Sequence, residues 1–204
     1  MTKGKLYIIS APSGAGKTSL IKKLVPTVDK LVVSISHTTR PQRSAEIEGV
    51  DYFFTATADF KKMQGQGEFL EYAQVFDNFY GTAQSSVEKN LNKGLDVILE
   101  IDWQGAEQIR HLLPNAISIF ILPPSTTVLR ERLQGRAQDD ASIINRRMQD
   151  AVTEMSHYAE YDYLVVNDDF NTALMELKAI ILSQRLGIQQ QQQQLSSLLV
   201  GLLA

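Results

Sequence analysis

Lys17 and Thr18 end the segment Lys5 to Thr18, KLYIISAPSGAGKT, and a lysine beside a hydroxyl after a glycine-containing turn is chemistry suited to a polyphosphate. The lysine would reach the β- and γ-phosphates, and the threonine hydroxyl would sit on Mg²⁺. The turn itself is Ala11, Pro12, Ser13, Gly14, Ala15 and Gly16. Gly14 and Gly16 permit positive φ, which lets main-chain N–H groups close on an anion at a helix N-terminus, where the dipole is favourable. The template is G-x-x-x-x-G-K-[ST], and the sequence departs from it at Ala11, a residue that requires negative φ there.

Further groups stand out by type and place. Glu100 and Asp102 end the apolar run LDVILEID, and acids at the C-terminal end of a strand lie at the functional edge of an open α/β sheet. In a phosphate-loop protein such an acid holds Mg²⁺ directly or through water. Asp102 also suits the cap of a helix beginning near Gly105. Arg40 and Arg43 flank Pro41, which stiffens the loop, and guanidinium forks suit phosphate oxygens, although exposed arginines are commonly just solvated. His37 reads as a local hydrogen-bonding residue. Glu71 alternates with Leu70 and Tyr72 along a strand and faces either solvent or a cleft; Tyr52, Tyr80 and Thr82 share that ambiguity. Arg130, Arg132, Arg136, Arg146 and Arg147 fall on helical segments, either as a solvated face or as a mobile lid that brings cations to a transferring phosphoryl group.

The elements that must position these residues follow from periodicity. Leu6 to Ile9 are consecutive apolar residues, as in a parallel strand buried on both faces, and Ser19 onward switches to helical spacing. Leu31 to Ser36, Leu95 to Asp102, Ala116 to Leu122 and Tyr163 to Asp169 are further strands, and Pro123-Pro124 ends one of them. Residues 46 to 90 are aromatic-rich short strands around a helical stretch near Ala58 to Gln64, a small antiparallel insert. Ser125 to Asp150 is helical with GRAQDD interrupting, and an amphipathic helix covers about Asn171 to Gln184. The expected fold is three-layer α/β, with five βα-type strands in a parallel sheet, the antiparallel insert after the second, and a helical lid. From Gly187 the tail contains six consecutive glutamines and then LSSLLVGLLA, either disordered or extending the last helix.

Composition narrows the classes. With 204 residues, 44% hydrophobic and 21% charged, the chain can bury a core as one compact domain. A net charge of −3 offers no general basic field, so nucleic acid and anionic membrane are not expected partners and phosphate binding must be local. The absence of cysteine rules out disulfides and thiolate metal sites and fits a reducing cytoplasm. The N-terminus runs into the first strand too soon for a signal peptide, and no apolar run is long enough to span a membrane.

The ordered series SAPSGAGKTSL, SHTTRPQR, EGVDYFF, FLEYAQVFDNFYGT, ILEIDWQGA, ERLQGR and VVNDD resembles guanylate kinase of the bacterial type, from Gly4 to about Gln184. The resemblance implies a P-loop nucleoside monophosphate kinase fold at 4–184, with an NMP-binding insert at about 37–90, a lid at about 125–150, and a glutamine-rich tail at 185–204. It implies ATP and GMP or dGMP as substrates, with Mg²⁺. By position, Arg40, Arg43, Tyr52 and Tyr80 would hold the GMP phosphate, and Ser36, Glu71, Thr82 and Glu100 would contact guanine. Asn167 and Asp168 would lie near adenine; Lys17, Arg136 and Arg147 would act on the phosphates, with Arg132 a weaker candidate. Ala11 and Glu100 match the bacterial form. Two other readings stand beside it: a non-catalytic guanylate-kinase-like interaction module, and a kinase for AMP, UMP or dTMP. The apolar C-terminus suggests packing on a second copy in a homo-oligomer.

Overall fold

The first strand, β1 (Leu6–Ser10), is buried along its whole length, because β7 (Asp96–Glu100) and β8 (Ile117–Leu122) pair with it in parallel on either side. The structure is a computed structural model that describes residues 3–75, 77–136 and 141–204, with the side chains of residues 136, 141 and 142 outside that description. Side chains of β1 alternate between two cores. Tyr7 and Ile9 meet Leu20 and Leu24 of α1 (Lys17–Leu24) and Leu177 and Ile181 of α7 (Phe170–Arg185). Leu6 and Ile8 meet Val87 and Leu91 of α3 (Gln84–Asn92) and Ala106 and Ile109 of α4 (Trp103–Leu112). A sheet covered on both faces can be apolar throughout, so the run of consecutive apolar residues and the three layers are one fact.

The sheet is the expected five-stranded parallel one, ordered β2-β7-β1-β8-β9, with β2 (Leu31–Val33) and β9 (Tyr163–Val166) at its edges. After β1 the chain crosses to β2 on one side, while β8 lies on the other. The loop after β1 therefore opens at the switch point of the sheet, where ligands of such folds bind.

A second sheet, ordered β4-β3-β6-β5, is built from β3 (His37–Thr38), β4 (Phe53–Phe54), β5 (Phe69–Val75) and β6 (Asn78–Ala83). It corrects the expected purely antiparallel insert. β5–β6 and β3–β6 are antiparallel, but β4 joins β3 in parallel, since the long connection between them carries the chain back to the end at which β3 began. The strand expected over Leu31–Ser36 stops at Val33, and His37–Thr38, in the expected arginine loop, belong to this second sheet. His37 is also corrected. Its ring packs against Phe53 at 4.9 Å and Phe69 at 5.7 Å, its Nδ1 is buried without a partner, and burial lowers its pKa, so it is a neutral packing group. Helix α2 (Thr57–Gly65) inserts the buried Phe60 against Phe69, with ring centroids 4.5 Å apart.

Helices α5 (Thr126–Arg136) and α6 (Ala141–Ser156) share a small core of Leu129, Leu133, Ile144, Met148 and Ala151. Arg130 Nη1 donates to Asn145 Oδ1 across the pair at 3.0 Å. Most of the expected GRAQDD interruption, 137–140, lies outside the described residues, and α6 runs past residue 150 to Ser156. The glutamine run forms α8 (Ile188–Gln194), followed by the apolar α9 (Ser196–Leu203), whose Leu198, Val200, Leu202 and Leu203 are exposed.

The burial of α7 gives a direct stability expectation. Leu177, fully buried, should cost about 2–5 kcal/mol when changed to Ala. Leu182→Ala on the same helix, 40% exposed, should cost much less. Urea midpoints of the two variants check this, and equal losses would contradict the packing described.

Candidate active site

The loop after β1 has the conformation its residues require. Gly14 and Gly16 adopt φ of 93° and 94°, and Ala11 is not among the residues with positive φ. No side chain caps α1, so its first N–H groups are left for an anion. The loop is held from behind by the end of β9. Asn167 Nδ2 donates to the Ala15 carbonyl at 2.7 Å, and Arg132 Nη2 donates to the Asn167 carbonyl at 3.0 Å. From α6, Glu154 Oε2 accepts the Ser13 N–H at 3.0 Å and Arg147 Nη2 donates to Ser13 Oγ at 3.0 Å. Lys17 Nζ donates to the Ile101 carbonyl at 3.1 Å.

Glu71 faces inward. In β5 the alternation puts Phe69, Glu71 and Ala73 on the buried face and Tyr72 and Gln74 outside. Its carboxylate takes hydrogen bonds from the hydroxyl and N–H of Thr82, and the Ser36 hydroxyl lies 3.3 Å from the Thr82 hydroxyl. Because an ionised carboxylate only accepts, Thr82 donates to Glu71 and is left to accept from Ser36. Burial raises the Glu71 pKa to about 7, against the opposing Thr82 bonds; the Asp102 charge adds to the rise and Lys17 reduces it. A carboxyl poised there is a mark of a functional group.

Beside it, Arg40 and Arg43 are organised by an acid. Glu46 Oε1 accepts from Arg40 Nη2 at 2.6 Å and Oε2 accepts the Arg43 N–H at 2.8 Å. The Arg40 guanidinium stands 5.5 Å over the Tyr52 ring, and Tyr80 meets Tyr52 edge-on with centroids 6.0 Å apart. Lys22 of α1 ties to Asp51 of the second-sheet region at 2.6 Å. At the end of β7, Glu100 accepts from the Thr18 hydroxyl. Asp102 caps α4, accepting from Gly105 N–H and Gln104 Nε2, each at 3.0 Å.

These residues line one cleft of about 620 Å³: the loop, Ser36, Arg40, Arg43, Tyr52, Glu71, Tyr80, Glu100, Asp102 and Glu154. Thr82 is fully buried behind Glu71, and Ala15 is buried within the loop. Asn167 and Asp168 fall elsewhere, in a second cleft of about 390 Å³ with Arg132, Gly135 and Phe170. The Arg136 side chain lies outside the described residues. Sequence reasoning missed Glu46, Glu154 and Gly105. The spacing of Arg147 and Glu154, seven apart and so on one helical face, was a usable signal for Glu154. Among the described residues no group of three or more His, Cys, Asp or Glu is spaced to hold a metal alone. Thr18, Glu100 and Asp102 do offer oxygen atoms only, and such a sparse set suits Mg²⁺, which takes most of its ligands from phosphates and water.

Comparison with known proteins agrees with this geometry. The family model described as Guanylate kinase matches residues 3–184. A guanylate kinase of Methylococcus capsulatus is 58% identical over 203 residues, covering 100% of both chains. One of Hahella chejuensis is 57% identical over 205 residues, covering 100% of this chain and 98% of its own. The crystal structure of guanylate kinase from Anaplasma phagocytophilum superposes with a TM-score of 0.77 at 33% identity, covering 92% of this chain and 89% of that one. With identity above one half over the full length and the same fold in a solved relative, the chain belongs to the guanylate kinase family.

Proposed function

We propose that this chain transfers the γ-phosphoryl group of ATP to GMP or dGMP, giving ADP and GDP or dGDP. The observation that carries the reading is Glu71, a carboxylate only 3% exposed that borders the cleft containing the phosphate loop. Guanine presents N1–H and the 2-amino group as adjacent donors, and a carboxylate is the matching pair of acceptors. Adenine has an acceptor at N1 and no 2-amino group, which would leave the buried carboxylate unpaired.

In this reading the second sheet with α2, about 37–90, binds the acceptor, and α5 with α6 forms the lid. Ser36 and Thr82 orient Glu71, and Glu100 borders the base and the Thr18 hydroxyl. Arg40, Arg43, Tyr52 and Tyr80 hold the GMP phosphate, a role supported by their convergence on one wall of the cleft. Asn167 and Asp168 border the adenine in the second cleft. The Thr18 hydroxyl and Asp102 would hold Mg²⁺, which supplies charge neutralisation at the phosphate oxygens.

A GMP phosphate oxygen attacks the γ-phosphorus in line; its P–O bond forms as the bond to the β,γ-bridging oxygen breaks and ADP departs. That phosphate is already largely ionised near neutral pH, so no protein nucleophile or base is required. The residues contribute position and charge: Lys17 and the lid arginines Arg136 and Arg147 meet the transferring group, while Arg40 and Arg43 align the acceptor. A closed lid keeps out water, which would otherwise accept the phosphoryl group.

A coupled ADP-release assay with ATP, Mg²⁺ and GMP, dGMP, AMP, UMP or dTMP tests the reading. Turnover is expected with the guanine nucleotides alone, and Lys17→Ala should lower kcat by about 10²-fold or more. Turnover with another base would discard the Glu71 assignment, and no turnover by folded protein would favour an interaction module.

A second expectation concerns protons. With its pKa at about 7, the free Glu71 carboxyl is partly protonated near neutrality, and the guanine donors favour its ionised form. Binding should therefore release protons, and affinity should rise as pH increases from about 6 to about 8. Calorimetry with guanosine, which lacks the titrating phosphate, in buffers of differing ionisation enthalpy reads this release. Glu71→Gln should abolish it and lower kcat/KM for GMP by about 10²-fold. An unchanged release in that variant would remove Glu71 as its source.

A further inference from the structure

We infer that Gly105 is a positioning residue for guanine selectivity: the side chain it lacks leaves the space in which the Glu71 carboxylate stands. The inference rests on the reading of Glu71 as the guanine acceptor. A Cβ at residue 105 would lie 2.4 Å from Glu71 Oε2 and 3.1 Å from its Cδ, against roughly 3.5 Å for an unstrained contact between heavy atoms. Backbone freedom does not explain the glycine. Its φ is not among the positive ones, and its N–H makes the ordinary first-turn bond to the Asp102 cap. Alanine would fit that backbone and is the better helix former. What distinguishes the position is the carboxylate against it.

The geometry also says which partner must move. Helix α4 is fixed by Ala106 and Ile109, both fully buried in the core against β1 and β7. The nearest atom to the added methyl is the tip of a side chain, which can swing without disturbing the sheet. The clash is therefore relieved by displacing the Glu71 carboxylate from its Thr82 bonds by about 1 Å, beyond the tolerance of a paired hydrogen-bond site. A displaced carboxylate cannot meet N1–H and the 2-amino group together. The loss falls on the feature that separates guanine from hypoxanthine, which has N1–H but no 2-amino group.

The test uses the full chain as wild type, Gly105→Ala, Glu71→Gln and the double variant, with melting temperature and steady-state kinetics for GMP, IMP and ATP. Gly105→Ala should melt at or above the wild-type temperature. It should lose about 10- to 100-fold in kcat/KM for GMP, chiefly through KM, with KM for ATP held within about twofold. The preference for GMP over IMP should narrow, and the double variant should match Glu71→Gln alone, because the glycine acts through that carboxylate. Unchanged GMP kinetics in Gly105→Ala, with Glu71→Gln impaired, would overturn the role of Gly105 while leaving the guanine reading intact. A lowered melting temperature with KM for ATP raised in step would also overturn it, as would losses that add in the double variant. If Glu71→Gln kept full GMP selectivity, the guanine reading would fail, and the inference with it.

Discussion

A chain that turns from β1 into α1 through two glycines with positive φ closes the turn with the Ala15 N–H on the Pro12 carbonyl at 3.0 Å and presents the first N–H groups of a helix that no side chain caps. The surrounding structure has to hold this turn without filling it. Support comes from behind, where the Asn167 amide and Arg132 secure the Ala15 and Asn167 carbonyls. The fit is close enough that a Cβ on Gly16 would come within 2.4 Å of Asn167 Nδ2. Thus Gly16 answers to two demands, a positive φ and a side chain pressed against its Cα. Because the sheet is parallel, the ends of β1, β7 and β9 all reach the same edge, and the loop, Glu100, Asp102 and Asn167 arrive there together.

Glu71 is a different constraint, since it works against the fold. Its pKa stands above that of an unfolded carboxyl, so the native protein binds more protons than the unfolded chain between about pH 4.5 and about pH 7. Stability from this residue is therefore lost as pH rises through that interval. An apolar residue in its place would not carry this penalty, and the Thr82 and Ser36 hydroxyls only moderate it. In the proposed function this cost is what a preorganised acceptor, desolvated in advance, would carry.

The parts of the fold that depend on local pattern were legible in the sequence. Four consecutive apolar residues, a glycine-rich turn and a helical switch sufficed for β1, the loop and α1, and Pro123-Pro124 marked the end of β8. Pairing between distant segments was not. Alternation in β5 established that Glu71 and Tyr72 point to opposite faces, but only β6 and α4 determine which face is the cleft. The parallel pairing of β4 with β3 depends on where a long loop returns, which no period-2 pattern records. For His37 the lack of a second His or Cys nearby argued against a metal site and left hydrogen bonding as the reading, whereas two phenylalanine rings from other strands pack against it. Glu154 needed the fold as well: its helix had to be laid across the loop before its carboxylate met Ser13.

Four cations in or beside the cleft are held by partners within the chain. Arg40 is paired to Glu46, Lys22 to Asp51, Lys17 to a carbonyl, and Arg147 reaches the Ser13 hydroxyl. Unengaged, these groups would be free to sample many rotamers, and binding would have to order them. Held on short bonds, they are already near the cleft. Pairs that keep access to water, such as Lys22 with a side chain 66% exposed, contribute little net stability and can be given up readily for a phosphate. Arg40 is the exception, because both it and Glu46 are largely screened from solvent. A phosphate that engaged Arg40 would have to retain Glu46 as a neighbour or displace it. The same acid bonds the Arg43 N–H, so displacement would also loosen the loop that presents Arg43. Retaining Glu46 would keep the Arg40 guanidinium and the Arg43 backbone in place, and would leave the Arg43 guanidinium and the other Arg40 donors for phosphate oxygens.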